Sequence, residues 1–105
     1  MHEYALPELN FMLEEILNTV KHYDVQHILT DTTKSRVTLD NEVYAQVMNK
    51  LALLLATTRL KKFARLATTE LSRETIAQSA AELVKEKIQY QAFDNRAVAM
   101  AWLTS

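Results

Sequence analysis

No glycine occurs anywhere in this 105-residue chain. Glycine is the residue that takes positive φ at no steric cost and lets backbone approach a phosphate closely. Without it the Walker phosphate loop, the dinucleotide-binding fingerprint and the nucleophile elbow are all absent. The commonest backbone routes to nucleotide binding and serine hydrolase chemistry are therefore closed.

Hydrophobic periodicity supplies the elements instead. Leu9, Met12, Leu13, Ile16, Leu17 and Val20 form one apolar stripe at helical spacing, and Pro7 suits a first helical turn, which predicts a helix over 7–22. A β-rich run follows at 25–31, then a polar turn beginning at Asp31. A second helix is expected to start near Thr38 to Asp40, either of which can cap it, with Val43, Tyr44, Val47, Met48, Leu51, Leu54 and Leu55 facing inward. The second strand is expected at 62–67. Ser72 is the expected cap of a third helix that buries Ile76, Ala77, Ala80, Leu83 and Val84. The third strand falls at 88–93, and Asp94 is the expected cap of a last helix ending at Trp102 and Leu103. The order αβαβαβα implies an α/β layered sandwich: a small, mainly parallel sheet flanked by helices and joined by right-handed crossovers. Residues 1–105 fit one domain.

Three strands leave two sheet edges open. Either the N-terminal stretch adds a strand, or the chain pairs with another copy, or strands lie upstream of it. Composition narrows the chemistry. No cysteine is present, which excludes disulfides, thiolate metal sites and a thiol nucleophile. A net charge of −1 gives no general attraction to nucleic acid or to an anionic membrane. The longest apolar run, 51–56, is too short to span a bilayer, and the N-terminus has no signal-peptide pattern, so a cytoplasmic protein is expected.

The segment HILTDTTKS resembles the strand and acidic turn of STAS domains, the anti-sigma-factor-antagonist type. FDNRAVAMAWL is similar to the C-terminal element of SpoIIAA-like proteins (the STAS/SEC14-like grouping), where a phenylalanine and a turn precede a short helix ending in Trp-Leu. TTELSRETIAQ resembles the loop, cap and helix before it. The resemblance implies a bacterial, non-enzymatic regulatory or protein-interaction module acting as a homodimer or on a protein partner. The SEC14-like relatives imply the alternative, a small carrier of an apolar ligand, in a pocket lined by Met12, Tyr44, Met48 and Trp102. The family's β-hairpin before the first helix has at most six residues here. Asp40 stands where the family's phosphorylated serine would be, so the phospho-switch is not carried over; Thr38 is the nearest hydroxyl.

Candidate site residues follow from position. Asp31, Thr32, Thr33 and Ser35 lie at the carboxyl end of the first strand, where ligands bind in open parallel sheets, and Thr38 and Asp40 precede the second helix. Hydroxyls and acids also serve turns and caps, which is the competing structural explanation. The three histidines lack a tight ligand spacing, so neither a metal nor a cofactor is expected. No base is placed to activate Ser35 or Thr33. Phe11 lies opposite the Leu9–Ile16–Val20 stripe and Arg65 shares the Phe63 face of its strand; both are expected interface residues, and a buried arginine there must be paired or reach water.

Overall fold

The computed structural model describes residues 2–4, 6–31, 33, 35–37 and 39–105. In chain order the elements are β1 (His2–Tyr4), α1 (Leu6–His22), β2 (His27–Asp31), β3 (Ser35–Val37), α2 (Asn41–Leu55), β4 (Lys62–Leu66), α3 (Leu71–Glu82), β5 (Gln89–Phe93) and α4 (Arg96–Leu103). The expected helices, strands and their alternation are present. The three-stranded sheet runs β2-β4-β5 and is parallel throughout, with His27 level with Lys62 and Lys62 level with Gln89.

The N-terminal stretch does add a strand, but not to that sheet. β1 pairs in parallel with β3, which begins at Ser35, the last residue of the expected polar turn. Three residues are too few to show a period, and their pairing is with distant chain, so nothing local marks them.

The strands advance in one direction across the sheet, so right-handed crossovers place α2 and α3 on the same face. They pack against each other, α1 packs on α2, and α4 folds back over the opposite face against all three strands. Strand alternation divides the core accordingly. Phe63 joins Val20, Leu51, Leu55, Leu60, Val84 and Ile88 under α1 to α3. Ala64 and Leu66 instead join Phe93, Ala99 and Leu103 under α4. Ala64 and Ala99 are both 0% exposed. Their lack of side-chain bulk lets the short α4 sit close on the central strand.

The chain replaces glycine at its helix ends. After α1, Asp24 takes φ of 53°, the left-handed conformation that glycine fills most readily. After α2, the Thr57 and Thr58 hydroxyls donate to the carbonyls of Leu54 and Leu55, each at 2.6 Å, satisfying terminal acceptors. After α4, Thr104 Oγ1 bonds the Met100 carbonyl and Lys62 Nζ donates to the Trp102 carbonyl at 2.9 Å.

Two expected caps move. Ser72 lies inside α3, whose N-cap is Glu70, and that side chain makes no capping bond. The cap of α4 is Asn95 rather than Asp94, its side chain accepting from the Val98 N–H at 3.2 Å. Leu83 is 55% exposed instead of buried, because α3 ends at Glu82 and the chain turns off its apolar face there. Of the two expected caps of α2, Asp40 is the one that serves, accepting from the Val43 N–H at 2.9 Å.

Candidate functional site

The carboxyl edge of the sheet collects the polar residues. β2 ends at Asp31, β4 runs into Thr68 to Glu70, and β5 runs into Asp94 and Asn95, beside the first turns of α2, α3 and α4. At the centre lies Arg65. It is 3% exposed and is the buried charged residue among those described.

Arg65 points from β4 toward α3, where Glu74 meets it in the first turn. Nε donates to Oε1 at 3.0 Å and Nη2 to Oε2 at 3.1 Å, a bidentate pair. Nη2 also donates to the Tyr44 hydroxyl at 3.4 Å. Glu74 Oε2 accepts further bonds from the Thr68 N–H at 3.1 Å and the Thr68 hydroxyl at 2.9 Å. Thr68 Oγ1 in turn accepts from the Glu70 N–H, which closes the start of α3 without a capping side chain on Glu70. The Arg73 guanidinium lies 4.3 Å over the Tyr44 ring and donates to the Leu39 carbonyl, fastening α3 to the approach to α2.

These contacts decide the charges. Burial opposes ionisation of both partners. For Arg65 the bond and charge of Glu74 outweigh it and raise the guanidinium's pKa. For Glu74 the bonds from Arg65 and Thr68 outweigh it and hold the carboxyl below its usual range. Tyr90, above the same face, has a buried hydroxyl with no hydrogen-bond partner among the described residues. Its pKa is pushed up to about 12, chiefly by burial.

Asp31 is a second, exposed node. Its Oδ1 accepts from the hydroxyl and N–H of Thr33, at 2.5 and 3.0 Å, an Asx-type turn. Its Oδ2 accepts from Arg96 Nη2 at 3.0 Å, joining β2 to α4. The Thr33 bonds, with Arg96, hold the carboxyl below its ordinary value.

Of the expected site residues, Asp31 and Thr33 are thus engaged with each other and Asp40 is a cap. Ser35 opens β3. Thr32 and Thr38 lie outside the described residues. Phe11 is 65% exposed, as its helical position predicts. Arg65 is not at a surface where a partner could meet it: it faces the chain's own α3. Ligand binding at the carboxyl edge of an open parallel sheet depends on a reversal of strand order, and β2-β4-β5 contains none.

The residues expected to line a carrier pocket are not brought together. Met12 sits with Phe11 at the outer surface of α1, and Trp102 packs on Phe93 on the α4 face, 5.6 Å between ring centres. Met48 alone of the four borders the cavity of about 40 Å³ between α2, α3 and the sheet, with Phe63, Arg65, Val84, Ile88 and Tyr90. Among the described residues no group of three or more His, Cys, Asp or Glu side chains could hold a metal ion. No described helix is long and apolar enough to cross a membrane.

Strand alternation marks Arg65 as a charge on an apolar face but does not identify its partner. Glu74 lies three residues before the buried Ala77, hence on the sheet-facing side of α3, and that spacing was the available signal. No family model, no curated protein and no solved structure matches the chain.

Proposed function

We propose that this chain is a non-catalytic, STAS-like regulatory module of the cytoplasm that works by binding protein, either a second copy of itself or another chain. The observation that carries the reading is the combination of open sheet edges with engaged polar groups. β5 is an edge strand whose residues Gln89, Gln91 and Ala92 are exposed, while Phe11 stands exposed on α1. Unpaired strand edges and exposed aromatic side chains are what protein association uses. Two ion pairs of the carboxyl edge, by contrast, are closed within the chain: Arg65 with Glu74, and Asp31 with Arg96.

The size of the cleft between α2, α3 and the sheet supports the same reading over the carrier. About 40 Å³ accommodates water, whereas ligand sites typically offer about 300 Å³ or more. Native mass spectrometry, read intact and again after mild denaturation, separates the two. A dimer without added mass is the expected result. A stoichiometric small molecule released on denaturation would make the chain a carrier and overturn the proposal.

A further inference from the structure

The edge strand β5 has a backbone that can be paired in only one phase. The Gln89 N–H donates to the Lys61 carbonyl and the Phe93 carbonyl accepts from the Ala67 N–H, each at 2.8 Å. In a parallel ladder both polar groups of alternate residues turn to the same neighbour. Residues 89, 91 and 93 therefore spend theirs on β4. The N–H and C=O groups of Tyr90 and Ala92 point outward, and no described strand pairs with that side.

Natural edges are commonly blunted by charge, proline, a bulge or a cover. The sequence of β5, QYQAF, contains no charged residue and no proline. Its register with β4 is continuous over all five residues. The other edge, β2, is half-buried over four of its five residues, whereas Gln89, Gln91 and Ala92 of β5 are exposed.

The charges nearest the two ends of β5 differ in sign, Lys87 before the strand and Asp94 directly after it, both exposed. Arg59, Lys61 and Lys87 border one depression at the amino end of the sheet. Asp94 lies exposed at the carboxyl end, immediately after β5. A parallel neighbour would set like ends together. An antiparallel neighbour would set Lys87 beside the second copy's Asp94.

We infer that β5 is the seam at which two copies of this chain join, antiparallel about a two-fold axis through Gln91, into one continuous six-stranded sheet. This register places Tyr90 opposite the second copy's Ala92. Those are the two residues whose polar groups face outward, so the pairing forms four backbone hydrogen bonds across the axis. A large side chain then lies beside a small one, Gln91 meets its own equivalent, and Lys87 reaches the level of the second copy's Asp94 and Asn95. The inference deepens the interaction reading above by naming the partner as a second copy and the surface as β5.

Sedimentation velocity over a concentration series tests it, with circular dichroism confirming that each variant is folded. Wild type is expected to dimerise. Gln91→Lys puts like charges on the axis, and Lys87→Glu puts one beside the second copy's Asp94. Each is expected to weaken the dimer at least tenfold, and Lys87→Glu combined with Asp94→Lys to recover most of the loss. A dimer indifferent to both single changes overturns the β5 seam but leaves the interaction reading standing. Loss of the dimer in Phe11→Ser alone reassigns the contact to α1. A chain that stays monomeric at every concentration overturns self-pairing and leaves a different protein as the partner.

Discussion

Arg65 and Glu74 face each other across the junction of β4 and α3 through two hydrogen bonds, 3.0 and 3.1 Å long, with the arginine almost wholly removed from solvent. A charge in that position depends on its partner. Glu74→Gln leaves the guanidinium buried without a counter-charge and is expected to cost about 3 kcal/mol or more in urea unfolding at pH 7. Replacing both, as Arg65→Met with Glu74→Met, is expected to cost clearly less than the two single changes added together. Additive losses in that double-mutant cycle would mean that the pair is not coupled.

Acid should weaken the fold through the same carboxylate. Glu74 has a folded pKa below its ordinary value of 4.5, and Asp31 one below its ordinary 3.8. A depressed carboxylate contributes stability above the unfolded value and loses it as pH falls through the folded one. Stability should therefore be level through neutral pH and decline below about 4.5. Chemical denaturation at stepped pH is expected to show a shallower acid decline in Glu74→Gln and, separately, in Asp31→Asn.

Tyr90 presents the opposite case, a buried hydroxyl without a partner among the described residues. Removing such a group deletes a desolvation cost, so Tyr90→Phe is expected to leave stability unchanged or raise it by up to about 1 kcal/mol. The alkaline side carries its own sign. With its pKa raised from 10.0 to about 12 by burial, the phenol resists ionisation in the folded state, so stability is lost as pH rises through this interval. The variant should lose less stability there than wild type. A destabilised Tyr90→Phe at neutral pH would show that the hydroxyl is satisfied.

The turn after α1 tests the cost of building without glycine. Asp24 holds φ of 53° and pairs with Arg59 at 3.1 Å, both side chains being largely exposed. An exposed pair contributes little, whereas the left-handed conformation costs a non-glycine residue about 1 kcal/mol. Asp24→Gly is expected to raise the melting temperature slightly, with no change in the circular dichroism spectrum.

The sequence determined the alternation of helices and strands, because each amphipathic stripe and each β-rich run is a local pattern. It also determined that α2 would start near Thr38 to Asp40, that Phe11 would stand exposed on α1, and that Arg65 would lie on a face where charge needs a partner. Those follow from periods of 3.6 and 2 and from the chemistry of single residues. What tertiary structure decided was every relation between distant segments. β1 found β3, and Glu74 reached back to Arg65 and Thr68. The polar residues of the carboxyl edge became a set of mutual contacts in place of an open crevice, because the strands never reverse their order. The edge left at β5 is of the same kind: QYQAF reads as an ordinary strand, and only the sheet order shows which of its backbone groups remain unspent.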